Sequence, residues 1–243
     1  GQSAWSFAVE GRRHSVDRLF TTLIYAAFFA ALAALVAIIV VTVMKGLDAL
    51  SAEFLGRSMR NISPQKQGGG LYHALIGTIE QVLIAAAFAV PIGILTAIYL
   101  VEYSSKRKLG KAISFFVDVM TGIPSIVAGL FIYTFWVLTL GFQRSGFAGS
   151  LALTILMIPV IVRSTEEMLK IVPNELREAS YALGVPKWKT ILRIVLPTAI
   201  GGIITGVMLA VARVAGETAP LLLTTFLSQS INYDPFKGAQ ASI

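Results

Sequence analysis

The sequence contains no cysteine and little charge. Without cysteine it has no disulfide framework, no cysteine nucleophile and no thiolate metal site. Charged residues make up 14% of the 243 positions, against about 25% in ordinary soluble domains. The two histidines are His14 and His73, both read as solvated loop residues. A histidine metal site or a Ser-His triad therefore lacks a second member. No G-x-x-x-x-G-K-[ST] phosphate loop occurs: Gly110-Lys111 has no glycine upstream at the right spacing and is followed by Ala112. Neither G-x-S-x-G nor H-E-x-x-H is present. No catalytic residue and no metal ligand is expected.

What remains is apolar. Hydrophobic residues make up 56% of the chain and the mean hydropathy is +0.76. This excludes a disordered chain, which needs low hydrophobicity and high charge. A bilayer core of about 30 Å takes about 20 apolar residues as helix. Four charge-free runs meet or approach that length: Leu19–Met44, Val82–Val101, Val119–Leu140 and Ser145–Val162. A fifth, about Ile194 to Leu223, is interrupted by Arg213 and Glu217. Backbone groups in lipid must bond internally, and no ten-residue alternating segments point to a barrel, so the fold class is an all-α integral membrane protein.

The net charge of +7 admits nucleic acid or a membrane surface as partner, and the placement of the basic residues decides. Thirteen of the twenty Lys and Arg precede the first run or lie between the second and third and between the fourth and fifth. Five fall on the opposite side. The basic-rich side is expected to be cytoplasmic. That places residues 1–18 inside, the first membrane helix at 19–44, the Gly46–Gly70 loop outside with a flexible Gln67–Gly70 exit, and the tail 225–243 outside. His14 and His73 then fall on opposite sides.

The stretch 163–193 between the fourth and fifth runs is polar but organised. Pro173 pre-sets a first helical turn and Glu175 suits its positive end. Leu176, Ala179, Ser180 and Leu183 recur at helical spacing, Gly184 accommodates a left-handed helix end, and Pro186 starts a second amphipathic helix with Trp188, Ile191, Leu192 and Val195. Two short helices meeting at a glycine describe either an element lying on lipid or a docking element for a partner.

Arg213 and Glu217 stand four apart in an apolar stretch, where an ionisable group costs about 2.5–3.5 kcal/mol at the bilayer centre. Such a pair either fixes helix packing or lines a substrate path. The guanidinium fork suits an oxyanion. Thr218 adds a hydroxyl, and Pro220 leaves a carbonyl unmatched nearby. A carboxylate only accepts hydrogen bonds, so Glu217 beside an anion favours one that carries a proton, phosphate over sulfate. The alternative is that Glu217 locks Arg213 in a resting state. Arg163, at the end of the fourth run, is either a path residue or a helix anchor. Glu80 and Asp118 read as interfacial. Gly202 and Gly206 form a G-x-x-x-G expected to pack closely against another helix.

Glu178-Ala179-Ser180, three residues, Gly184, nine residues and Ile194-x-Leu196-Pro197 resemble the EAA loop of ABC-importer permeases, with Ser180 replacing the family's second alanine. The run Arg213-Val214-Ala215-Gly216-Glu217-Thr218-Ala219-Pro220 resembles the PstA-type permeases of phosphate-specific ABC importers. So do Gly122-Ile123-Pro124-Ser125 and Ile158-Pro159-x-Ile161-x-Arg163-x-Thr165-Glu166-Glu167. The likeness covers 71–224, the expected permease core.

The resemblance implies a type I importer permease fold in a bacterial inner membrane. It implies alternating access and import of inorganic phosphate along a path including Arg213, Glu217, Thr218 and Arg163. Glu178, Ala179, Ser180 and Gly184 would couple to a separate ATPase, which binds ATP and Mg. The implied partners are a PstC-type permease, two PstB-type ATPases and a PstS-type phosphate-binding protein. Such permeases carry a sixth span; the five visible here, with no initial Met, lead to the expectation of a somewhat longer protein. Rival readings are a permease for phosphonate or molybdate, a membrane enzyme acting on a lipid phosphate, and a passive channel.

Overall fold

A computed structural model describes residues 3–47, 51–60, 69–104, 107–225 and 228–242. The start of the Gln67–Gly70 exit lies outside these. The chain divides into two compact units, Gly1–Ala52 and Glu53–Ile243.

Among its described residues the first unit is dominated by one helix, α1 (Ser3–Gly46). Its span Val16–Gly46 is apolar on every side. No stripe of the helix is reserved for a protein core, as suits a lipid-facing helix.

The second unit is built on three long helices. α2 (Ala52–Gly56) is a single turn, tied to the start of α3 by hydrogen bonds from Leu71 N to Phe54 O (2.9 Å) and Tyr72 N to Arg57 O (3.2 Å). α3 (Tyr72–Ile98) continues through a π-helical turn to Tyr103. α6 (Gly146–Ile171) begins at Ser145, whose hydroxyl accepts from Ala148 N. α9 (Leu196–Ala215) follows the short α8 (Lys187–Thr190) without a break, through a π-helical turn. These helices pack through small residues. Gly77, Gln81, Ala85, Ala89, Gly93 and Ala97 repeat every fourth position of α3, and all are buried. A Cβ on Gly93 would lie 2.6 Å from Ile161 Cγ2. Lipid is as apolar as leucine, so close backbone approach and dispersion hold such helices together. Gly202 and Gly206 meet Met168 and Ser164 of α6, so the G-x-x-x-G closes an interface within this chain.

Four expectations change. The third run is not one straight helix. α4 (Lys108–Thr121) and α5 (Ser125–Ile132, continuing to Thr139) meet at 105° across Gly122-Ile123-Pro124. Pro124 has ψ 135° and lacks the N–H that would carry helix across the break. The described residues therefore hold four helices long and apolar enough to span a membrane, or five counting this bent pair. The fifth run is also divided: α9 stops at Ala215, Gly216–Thr218 is non-helical, and α10 (Ala219–Thr224) starts anew with Pro220 in its first turn. Pro220 therefore leaves no carbonyl unmatched there, because first-turn N–H groups have no intrahelical partner. The connection after α6 is short, since α6 runs to Ile171 and α7 (Asn174–Ala182) begins three residues later. Finally, His73 is not a solvated loop residue. It lies in the first turn of α3 and is buried.

The tail after α10 folds back onto the start of α3 and α6. Gln240, almost fully buried, accepts from Gln81 Nε2 at 3.0 Å and donates to Glu80 Oε2 at 2.6 Å. Phe147 N donates to Pro235 O at 2.7 Å. Gly77 and Gly146 admit the tail: a Cβ on either would run into Ala241 O or Gln240 Oε1.

Candidate functional site

The hairpin between α6 and α9 forms as its sequence dictates. Pro173 precedes α7 with ψ 140° and Pro186 precedes α8 with ψ 149°. Gly184 sits between them at φ +74°, a region costly for residues with a Cβ. One side of the hairpin is fastened inward. Ser180 and Thr190, both buried, share a 2.8 Å hydrogen bond between hydroxyls. Arg177 donates to Glu102 Oε1 at 2.9 and 3.1 Å, to Leu169 O at 2.9 Å and to Val172 O at 2.6 Å. Lys187 Nζ also donates to the Glu102 carbonyl. Beside this cluster the Tyr181 phenol is pushed above its ordinary value, first by partial burial and then by the Glu102 carboxylate.

The other side is bare. Glu178 and Ala179 are exposed, as are Leu176, Trp188, Leu192 and above all Leu183, at 83% of its surface. Large apolar side chains on the outside of a polar hairpin fit a protein contact.

Arg213 and Glu217 do not share a continuous helix. Arg213 is in the last turn of α9 and Glu217 is in the break that follows. Glu217 N bonds to Val214 O at 3.1 Å, which turns its side chain back toward Arg213. Arg213 Nε and Glu217 Oε1 are 3.9 Å apart, at the outer limit of an ion pair. The Arg213 side chain is 61% exposed and that of Glu217 18%. Thr218, also exposed, opens α10. Arg213, Glu217 and Thr218 thus gather at one break, whose position is set where α10 presses Pro220 against Gly129 of α5.

Arg163 belongs to a different cluster. It donates to Asp118 Oδ1 and Glu166 Oε2, each at 2.5 Å, and to the Ser114 hydroxyl and carbonyl at 2.9 and 3.0 Å. Lys170 completes the row on Glu166 at 2.7 Å. Asp118 therefore serves as an anchor joining α4 to α6. The ion pairs of Arg163 and Arg213 share no residue.

Glu102 and Thr190 carried no signal in the sequence. Glu102 ends a charge-free run and reads as a boundary residue, and its partner lies 75 positions away. The described residues hold no group of three or more His, Cys, Asp or Glu that could bind a metal ion.

Residues 89–237 match the family described as the inner membrane component of binding-protein-dependent transport systems. The chain is 51% identical over 233 residues to "Phosphate transport system permease protein PstA 1" of Mycobacterium tuberculosis (strain ATCC 25618 / H37Rv), covering 96% of this chain and 75% of that protein. It is 52% identical over 233 residues to the PstA permease of Mycobacterium leprae, covering 96% and 76%. It is 42% identical over 217 residues to that of Yersinia pestis, covering 89% and 72%. Among solved structures, an inward-facing form of the MetNI methionine ABC transporter superposes with a TM-score of 0.52 at 21% identity, covering 68% of this chain and 73% of that one. At that identity the likeness concerns the fold.

Proposed function

The chain belongs to the family of inner-membrane components of binding-protein-dependent transport systems, and we propose that it is the permease subunit of an ATP-driven phosphate importer. Half-identity along nearly the whole chain to proteins named as phosphate transport permeases supports the substrate. The subunit is non-catalytic: ATP and Mg bind a partner ATPase, and this chain supplies the path and the coupling surface. The outward apolar face of the α7–α8 hairpin, with Glu178, Ala179 and Gly184, docks on that ATPase, while Ser180 faces inward and holds the hairpin closed. A PstC-type permease, two PstB-type ATPases and a PstS-type binding protein complete the complex in the bacterial inner membrane, with the N-terminus cytoplasmic. ATP-driven closure of the ATPase pair moves the hairpin, and the helices tilt between outward-open and inward-open states.

One observation carries the path assignment. Arg213 keeps most of its side chain exposed at the break between α9 and α10, with Nε 3.9 Å from Glu217 Oε1. A locked structural pair would be short and buried; this one leaves donors for an oxyanion. Glu217 accepts the proton of HPO₄²⁻ or H₂PO₄⁻, and Thr218 supplies a further hydroxyl. Arg163, held through both terminal nitrogens by Asp118, Glu166 and Ser114, positions α4 against α6 instead. The test is phosphate uptake in cells that depend on this transporter. Arg213→Ala abolishes uptake while the complex still co-purifies; wild-type uptake overturns the assignment.

A further inference from the structure

Two adjoining open cavities lie at the ends of α3 and α6, one bounded also by the start of α4 and the other by α7 and α8, and both are built from residues apart from the Arg213 break. One of about 360 Å³ is lined by Ser104, Gly110, Lys111, Glu166 and Lys170, among others. Its neighbour of about 410 Å³ shares Val101 and Lys170 and adds Glu102, Arg177 and Lys187.

Three features of the first cavity converge on an anion. The Ser104 residue is 2% exposed, and its hydroxyl has no hydrogen-bond partner among the described residues. A buried hydroxyl left unpaired is costly, and a ligand oxygen in the cavity removes the cost. Second, the cavity takes in Gly110 and Lys111 from the first turn of α4, a helix of 14 residues. The Lys111 N–H is already given to Arg107 O at 3.2 Å, so the cavity is offered the earlier first-turn N–H groups, which lack intrahelical partners, and the positive end of the helix dipole, both of which favour negative charge. Gly110 is required for the approach, since a Cβ would lie 2.5 Å from Ser104 Oγ. Third, the charge is unbalanced. Glu166 is already held by Arg163 and Lys170, and Glu102 by Arg177. Lys111 enters no ion pair among the described residues, and Lys170 spends one of its three N–H donors on Glu166.

We propose that Ser104, Lys111, Lys170 and the first turn of α4 form a binding site for a phosphate group, borne by an acidic phospholipid headgroup or by free inorganic phosphate. A tetrahedral oxyanion takes the serine hydroxyl, two ammonium groups and helix-end amides at once. Because the second cavity reaches Glu102 and Arg177, an occupant sits one side chain from the pair that fastens the α7–α8 hairpin. The site stands independently of the transported substrate.

The test uses the assembled complex in nanodiscs, followed by hydrogen–deuterium exchange over residues 107–114 and 166–171. In one arm inorganic phosphate is titrated into phosphatidylcholine discs. In the other, phosphatidylcholine discs are compared with discs containing phosphatidylglycerol, without added phosphate. Protection in the first arm identifies free phosphate, in the second a headgroup, and in both the phosphate group itself. Lys111→Gln with Lys170→Gln removes the protection. Ser104→Ala, which deletes one oxygen, weakens half-saturation about tenfold. Arg213→Ala leaves the protection in place. No protection in either arm, protection that survives the double substitution, or protection lost in Arg213→Ala overturns the proposal.

Discussion

Arg177 and Glu102 form a buried ion pair at 2.9 Å, with side-chain exposures of 11% and 4%. The pair joins the α7–α8 hairpin to the end of α3, and Arg177 also donates to Leu169 O, to Val172 O just after α6 and to Asn174 Oδ1. Removing one member of such a pair strands the other charge, at a cost of about 3–5 kcal/mol. Glu102→Ala therefore lowers the melting temperature of the purified complex and loosens the hairpin. The exchange Glu102→Arg with Arg177→Glu recovers part of the loss if the pair matters as a pair. A melting curve unchanged by Glu102→Ala would refute the structural role.

Ser180 departs from the family's alanine, and Thr190 accounts for it. In Ser180→Ala the Thr190 hydroxyl falls back on its weaker bond to Pro186 O at 3.4 Å. The expected cost is about 1 kcal/mol. Thr190→Val alone costs at least as much, because it leaves the Ser180 hydroxyl buried and unpaired. The double variant is closer to wild type than the two single losses added together, and a double-mutant cycle on thermal stability reads this coupling.

Gly129→Ala separates α5 from α10. The added methyl would lie 2.6 Å from Pro220 Cα and 2.9 Å from Pro220 O. Backbone atoms on both sides leave little room to relax, and overpacking of this kind costs about 1–3 kcal/mol. The shift falls on the break that holds Glu217 and Thr218, so transport is expected to fall more steeply than stability. Gly201→Ala is the control, since nothing lies within 4 Å of its Cβ position. Equal effects from the two would refute the packing argument.

Gln240→Glu tests the tail. The amide that donates to Glu80 becomes a second carboxylate beside it. Gln240 Nε2 also donates to Asn232 O at 3.0 Å, so the variant sets a carboxylate oxygen against two acceptors and loses both hydrogen bonds. Gln240→Glu is therefore expected to lower the melting temperature further than Gln240→Ala, which removes the bonds without adding a like charge. Equal melting curves for the two variants would refute the contact with Glu80.

Much of this architecture was legible from the sequence because it rests on local rules. Three of the charge-free runs became α1, α3 and α6, and the run interrupted by Arg213 and Glu217 became α9 and α10. Pro173, Gly184 and Pro186 set the hairpin through backbone preferences that need no partner. What stayed hidden depends on distant contacts. The apolar run 119–140 carries no mark of a right-angle turn other than Pro124, because lipid-facing and bent helices share one composition. Gln81 and Gln240, 159 residues apart, look like ordinary polar residues until the fold joins them. Asp118 appears interfacial until Arg163 reaches it from another helix. The Arg213–Glu217 spacing reads as one helical face, and only the stop at Ala215 turns it into a break between two helices.

Gly184 combines a φ of +74° with empty space around the position of a Cβ. Within this chain, therefore, the demand at 184 is one of handedness and not of size. An L-alanine would be opposed by its own backbone, at about 1–2 kcal/mol, while a D-alanine placed there by semisynthesis would fit the turn without strain. If the ATPase docks on the hairpin as proposed, mirror-image side chains of increasing bulk would then measure the room left above it, free of any penalty from the turn itself.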